Sequence, residues 1–204
     1  MQGRIFLTVH QSRKETGMKI TKSLIAVFAA GAFAVPVLAQ DDATCPQDGP
    51  DAPLALHEEW IMQGWERHEG DPAFVFSKEM SKFYDLKDPQ GVFWDNFAPG
   101  DTQLFTDASL YGANWEGHVN ASRSIRHGMT DVNHAVVGRD TASSAIGFVG
   151  RIEPLEGEVV AFDTRSQLGW SCVGGTWKIK HELNYAWIVE PETIGPILGK
   201  RLQH

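Results

Sequence analysis

Two consecutive glycines, Gly174 and Gly175, constrain this chain more than any other feature, because they stand between two long runs of strand-forming residues. Val159 to Cys172 and Thr176 to Val189 are rich in Val, Ile, Phe and Trp. A two-residue Gly-Gly loop between such runs marks a tight β-hairpin. The loop sets the register: Val173 faces Thr176, Cys172 faces Trp177, Trp170 faces Ile179 and Leu168 faces His181. Residues opposite one another share a face. One face therefore gathers Phe162, Leu168, Trp170, Cys172, Trp177, Ile179, His181, Leu183 and Tyr185, and the other Asp163, Arg165, Gln167, Lys178, Lys180 and Glu182. This register places His181 on the apolar, concave side and Arg165 on the outer side. A bulge at Gly169 would reverse that parity, so the face of Arg165 stays open.

Upstream, period-two patterning over Asp131 to Val137 and Ser144 to Glu153 predicts two more strands of the same meander, and Thr102 to Thr106 reads as a short strand. The N-terminal half is helical in pattern. Leu56, Trp60 and Gly64, with Ile61 and Trp65 beside them, recur at helical spacing behind Pro53. A second helix is expected from Asp71-Pro72, with Ala73, Phe76, Met80 and Phe83 on one face, and a third over Trp115 to His127. The link from Asp85 to Asp101 is rich in turn residues, yet Val92-Phe93-Trp94 and Phe97 are too apolar for a solvated loop and should pack over something. Helices followed by a strand meander describe an α+β domain with helices packed on one sheet.

The N-terminus reads as an address. Met18-Lys19-Ile20-Thr21-Lys22 carries two positive charges, Leu24 to Val35 is apolar throughout, and Val37-Leu38-Ala39 leads into Gln40-Asp41-Asp42. This is the three-part pattern of a cleavable signal peptide over residues 18–39. The apolar run is shorter than the about 20 residues a spanning helix needs, so no stable membrane anchor is expected after cleavage. Met1 to Gly17 reads as an upstream extension. Expected boundaries are residues 1–39 for extension and signal, 40–53 for an arm without regular structure, 54–189 for the domain and 190–204 for a tail. Without the first 39 residues, 13 basic and 25 acidic side chains remain, a net charge of about −12. So acidic a chain argues against nucleic acid and anionic membranes as partners. Cys45 and Cys172 are the only cysteines. In the oxidising compartment that export implies, periplasmic or extracellular, they are expected to form one disulfide.

The run Gly175-Thr176-Trp177-Lys178-Ile179-Lys180-His181-Glu182 resembles the last strand of SnoaL-like proteins of the nuclear transport factor 2-like superfamily. Leu104-Phe105-Thr106-Asp107, followed by Gly112 and Trp115, looks like that family's first strand and its turn into the third helix. The resemblance spans about Leu54 to Val189. It implies a cone-shaped half-barrel: N-terminal helices packed on a strongly curved, mostly antiparallel sheet with a pocket between them, and frequent dimers through the outer sheet face. Characterised relatives include cofactor-free isomerase-, dehydratase- and hydrolase-like enzymes as well as non-catalytic modules. The chain departs from the family pattern where a second histidine would stand, at Leu183, and where a serine is usual, at Tyr185.

On this reading the chain binds a small hydrophobic or amphipathic molecule. Two classes of function stay open, acid–base catalysis without a cofactor and non-catalytic ligand capture or dimerisation. His181 is the leading proton-transfer candidate, with Asp107 at the end of the first strand and Tyr84 at the end of the second helix as assistants. Trp60, Phe105, Trp115, Trp170, Leu183, Tyr185 and Arg165 are the expected pocket residues. No metal site is expected: His57-Glu58 lacks the second histidine of a His-Glu-x-x-His motif, position 61 being Ile61. No nucleophile elbow, phosphate loop or dinucleotide fingerprint is present. Asn120-Ala121-Ser122 fits a glycosylation triplet.

Overall fold

The computed structural model describes residues 44–202; the expected signal segment and the extension before it lie outside the described residues. In chain order, α1 is Pro53–Glu59 and continues as a π-helical turn over Trp60–Gly64; α2 is Phe76–Glu79, β1 Gln90–Asp95, β2 Leu104–Asp107, α3 Ala108–Asn120, β3 Ser122–Val137, β4 Thr141–Pro154, β5 Val160–Val173, β6 Thr176–Ile188 and α4 Pro191–Ile194. The six strands form one curved sheet in the order β2-β1-β6-β5-β4-β3. Every pairing is antiparallel except β1 on β6. This is the expected α+β architecture, with helices against the inner face of a mostly antiparallel sheet.

The Gly-Gly loop makes the hairpin, with Gly174 and Gly175 at φ of 56° and 81°, a backbone that side chains other than glycine adopt reluctantly. Val173 pairs with Thr176, Cys172 with Trp177 and Trp170 with Ile179, as the loop dictates. One step further the register slips: Gly169 pairs with His181, so Lys180 is an extra residue on β6. Its ammonium lies 3.2 Å from the carboxylates of both Asp85 and Asp88 in the link that leads to β1. Because side chains alternate with period two, one inserted residue reverses every inward and outward assignment beyond it. Trp177 and Ile179 face the core as expected, but past the bulge Glu182, Asn184 and Ala186 are buried while His181, Leu183 and Tyr185 are exposed.

The apolar link is a strand. β1 inserts between β2 and β6, burying Phe93 and Asp95. The second helix is much shorter than Asp71-Pro72 suggests, because the backbone before it is already engaged. Asn120 Oδ1 accepts from the Phe74 amide at 2.7 Å and Asn120 Nδ2 donates to the Phe74 carbonyl at 3.0 Å; Glu116 accepts from the Phe76 amide at 2.8 Å. The Asn120 amide of the glycosylation triplet is thus committed to the fold. The third helix starts earlier than expected, at Ala108, where the Asp107 carboxylate accepts from the amides of Ser109 and Leu110, an N-cap. His127 consequently falls in β3.

Cys45 and Cys172 form a disulfide with Cα atoms 5.7 Å apart, and Trp177 Nε1 donates to the Pro46 carbonyl at 2.6 Å. Together they fasten residues 45–46 to the hairpin.

Candidate functional site

Between α1, α3 and the inner face of the sheet lies a cavity with an empty volume of about 520 Å³, counted out to its open side. Its walls are apolar: Trp60 and Trp65 from the first helical segment, Tyr111 and Trp115 from α3, and Phe148 and Phe162 from β4 and β5. Four polar side chains interrupt them, namely Asp95, His127, Thr164 and Asn184. All four are buried, and no lysine or arginine lines the space.

Asp95 ends β1 and is held on both carboxylate oxygens. Oδ1 accepts from the Phe97 amide at 2.8 Å and Oδ2 from the Tyr111 hydroxyl at 3.0 Å. Burial pushes its pKa above the ordinary value, against the lowering effect of those two hydrogen bonds. Trp115 and Asn184 also face this carboxylate and lower its pKa slightly, but Asn184 Nδ2 bonds Glu182 instead and Trp115 Nε1 makes no full hydrogen bond.

Behind Asp95 stands a second carboxyl. Glu182, fully buried, accepts from Tyr84 at 2.6 Å, from Tyr111 at 2.7 Å and from Asn184 Nδ2 at 2.6 Å; Trp60 Nε1 donates to the Tyr84 hydroxyl at 3.0 Å. Burial raises the Glu182 pKa to about 7; the hydrogen bonds from Tyr84 and Tyr111 oppose the rise and the Asp95 charge adds to it. Burial, and then the nearby carboxylate charge, push both tyrosines well above 10. The Tyr111 hydroxyl therefore lies within hydrogen-bond distance of two carboxyl groups and keeps its one proton, which serves one of them at a time. His127 is forced down to about 3, chiefly by burial, and is a neutral imidazole at physiological pH.

The polar groups around this cavity are incompletely paired. Among the described residues, the buried side-chain atoms without a hydrogen-bond partner are Trp65 Nε1, Asn114 Nδ2, Trp115 Nε1, His127 Nδ1, Thr164 Oγ1 and Asn184 Oδ1. All but Asn114 belong to cavity-lining residues. Such orphans are rare in native proteins and carry a desolvation cost.

The residues expected from the sequence fall into three groups. Trp60 and Trp115 line the cavity, Tyr84 stands one hydrogen bond behind it, and Phe105 backs its wall with its ring 5.5 Å from that of Tyr111. Trp170 is buried elsewhere, donating to Ser144 at 2.8 Å. His181, Leu183, Tyr185 and Arg165 lie outside, on the outer sheet face, where the Arg165 guanidinium stacks 5.2 Å from the Trp187 ring. The Lys180 bulge corrects the expected inward placement of His181, Leu183 and Tyr185, and Asp107 is spent on capping α3. Asp95, Tyr111, His127, Thr164, Glu182 and Asn184 were not expected at the site. Asp95 had a signal: it is a carboxylate inside the apolar run Phe93-Trp94-Asp95-Asn96-Phe97.

No family model matches the sequence, and no curated protein is similar to it. Solved structures are similar in shape. A protein from Xanthomonas campestris described as a calcium/calmodulin dependent protein kinase II association domain superposes with a TM-score of 0.50 at 14% identity, over 70% of this chain and 91% of that one. A nuclear transport factor 2-like superfamily protein from Salmonella enterica gives 0.46 at 11% identity, over 69% and 96%. A hexachlorocyclohexane dehydrochlorinase from Novosphingobium barchaimii gives 0.47 at 8%, over 67% and 86%. At such identities the likeness speaks of architecture alone: this chain shares with the Xanthomonas protein an α+β fold, here a curved, mostly antiparallel six-stranded sheet with helices on its inner face.

Proposed function

We propose that the cavity binds a small, mainly apolar molecule and moves a proton on it without a cofactor, Asp95 acting as the general base. One observation carries this reading: an ionisable carboxylate lines an apolar cavity and shares a tyrosine hydroxyl with a second buried carboxyl. Asp95 takes a proton from an acidified position of the ligand, and the electron pair stays on the ligand. The carboxyl then returns the proton to a second ligand atom. Alternatively Tyr111 passes its own proton to Glu182 while accepting that of Asp95. Isomerisation fits the return of the proton to a second ligand atom; elimination fits where the electron pair instead forms a double bond and expels a leaving group, which departs with its bonding electrons and takes up the carboxyl proton. Tyr84, Asn184 and Trp60 position Glu182 and its partners. His181, with its side chain on the far side of the sheet, has no part in it.

The test is solvent-deuterium uptake at the activated C–H positions of small cyclic carbonyl compounds, followed by proton NMR. The intact protein should speed exchange, and Asp95→Asn should lose most of that rate, on the order of 10²–10⁴-fold for a general base, while keeping its thermal midpoint. Exchange no faster than buffer for every compound would leave ligand capture without catalysis as the function.

The same proposal takes the working molecule to be the exported chain from residue 40 onward, in the periplasm or secreted, consistent with the disulfide. A second copy is proposed to cover the outer face of β6, where Leu183, Tyr185 and Trp187 stand exposed. Native mass spectrometry of exported protein reports both at once: a mass lacking residues 1–39, and a dimer that Tyr185→Glu dissociates.

A further inference from the structure

The Tyr111 hydroxyl has two carboxyl oxygens beside it and one proton to give. It stands 3.0 Å from Asp95 Oδ2 and 2.7 Å from Glu182 Oε1. Each separation is that of an O–H···O hydrogen bond, about 2.5–3.0 Å, and such a bond needs a proton between its two oxygens. Tyr111 fills one of the two gaps. Two ionised carboxylates could not fill the other, since they only accept. The second gap closes when one carboxyl keeps a proton.

The neighbouring bonds limit where that proton sits. Glu182 Oε2 takes the Tyr84 hydroxyl proton at 2.6 Å, because the Tyr84 oxygen already receives the Trp60 indole N–H at 3.0 Å. Asp95 Oδ1 takes the Phe97 amide N–H at 2.8 Å. A proton aimed along either bond would displace a donor already in place. Glu182 Oε1 and Asp95 Oδ2 remain, and both meet Tyr111. Oε1 also accepts from Asn184 Nδ2 at 2.6 Å, which a protonated carboxyl oxygen still does.

The surroundings favour a single negative charge on the pair. Tyr84 and Tyr111 are the tyrosines that face it, held neutral by burial. His127, which lines the same cavity, is a neutral imidazole, and no lysine or arginine lines that space. Burial raises the pKa of both carboxyls, that of Glu182 to about 7, and two like charges so close oppose each other's ionisation.

We infer that Asp95, Tyr111 and Glu182 hold one proton beyond the tyrosine's own, shared between the two carboxyls across the Tyr111 hydroxyl, and that Glu182 is thereby the positioning residue that sets Asp95 as base or as acid. In the shift, Asp95 Oδ2 gives its proton to Tyr111 Oη while Tyr111 gives its own to Glu182 Oε1. One O–H bond breaks and one forms at each step, and the negative charge passes from Glu182 to Asp95. With the proton on Glu182, Asp95 is ionised and ready as a base. The role of Glu182 toward a base rests on the proton-transfer reading above; the proton count does not.

Infrared spectroscopy of the intact, oxidised protein at pH 6 tests this through the carbonyl stretch of a protonated carboxyl, since ordinary carboxylates are ionised there. One such group per chain is expected, fading as pH rises through about 7, a titration that belongs to the pair. With glutamate labelled with carbon-13 at its side-chain carboxyl, part of the band should move and part should stay. Asp95→Asn and Glu182→Gln should each abolish it, because either amide leaves a single carboxylate that Tyr111 serves alone. Absence of the band in the intact protein would overturn the inference. So would a band that moves wholly or not at all on labelling, or one that survives in folded Asp95→Asn, since the proton would then belong to one residue.

The deuterium exchange described above separates the two claims. A divided band in a protein that speeds no exchange keeps the shared proton and removes the base. Exchange lost in Asp95→Asn, with the band on Glu182 alone, keeps the base and removes the sharing.

Discussion

Buried ionisable residues give this protein an opposed pH response that can be worked out group by group. His57 is fully buried, its Nδ1 2.9 Å from Ser144 Oγ and its Nε2 2.9 Å from Ser166 Oγ, and burial lowers its pKa to about 3, as it does that of His127. In the unfolded chain both histidines take up a proton near pH 6.5, and in the folded protein neither does until about pH 3. The stability present above pH 6.5 is therefore lost as pH falls through that window. Glu182 runs the other way. Its folded pKa of about 7 exceeds its unfolded value of about 4.3, so its contribution is whole below that value and is lost as pH rises toward 7. Urea midpoints measured from pH 7.5 to 4 should fall below pH 6, and His57→Gln should flatten that fall; an unchanged acid limb in His57→Gln would contradict the assignment. Glu182 also predicts an inflection near pH 7 in any exchange rate the protein supports, absent in Glu182→Gln.

At the scale of elements, the site depends on a single inserted residue. Deleting Lys180 would restore an unbroken β5–β6 ladder, turn His181 inward and expel Glu182, Asn184 and Ala186 from the interior. The expected outcome is loss of the cooperative thermal transition. Lys180→Ala keeps the residue count and gives up two ion pairs, one to exposed Asp88 and one to half-buried Asp85, together on the order of 1–2 kcal/mol, so it should fold with Glu182 still buried. Circular dichroism melting of the two variants distinguishes a role in register from a role in charge pairing. The same bulge marks the limit of what the sequence discloses. The hairpin is legible from Gly174-Gly175 outward for as long as local alternation governs, through Trp170 and Ile179. It fails at Lys180, because the bulge lies where β6 meets the link at Asp85 and Asp88, some ninety residues away. The second helix misleads for a similar reason: Asp71-Pro72 is a sound local start, but Asn120 and Glu116 claim the backbone at Phe74 and Phe76. The overall α+β order, the buried aromatics and the Trp60 and Trp115 walls are legible because they rest on periodicity and bulk. The polar centre is not, since Asp95 and Tyr111 meet Glu182 only after distant strands and α3 are assembled.

For the molecule as a whole, the disulfide ties the N-terminal arm to the hairpin across 127 residues of chain. Neither cysteine lines the cavity. Cross-linking so long a segment restricts the unfolded ensemble far more than the folded one, a stabilisation of about 5 kcal/mol in the chain-entropy model. Its loss should therefore lower stability while leaving the geometry of Asp95, Tyr111 and Glu182 in place. The double variant Cys45→Ala/Cys172→Ala, like protein held in reductant, should unfold at markedly lower urea concentration and lower temperature than the oxidised protein. Under conditions where it is still folded, it should speed deuterium exchange into small cyclic carbonyl compounds at an unchanged rate. A loss of exchange in folded protein would mean that the arm shapes the cavity through the hairpin and Trp177. An unchanged urea midpoint would mean that the arm already meets the hairpin in the unfolded chain, so that the bridge has little freedom left to remove. Comparing stability and exchange on the same samples separates these outcomes, because the bridge acts on the unfolded chain and the cavity belongs to the folded one.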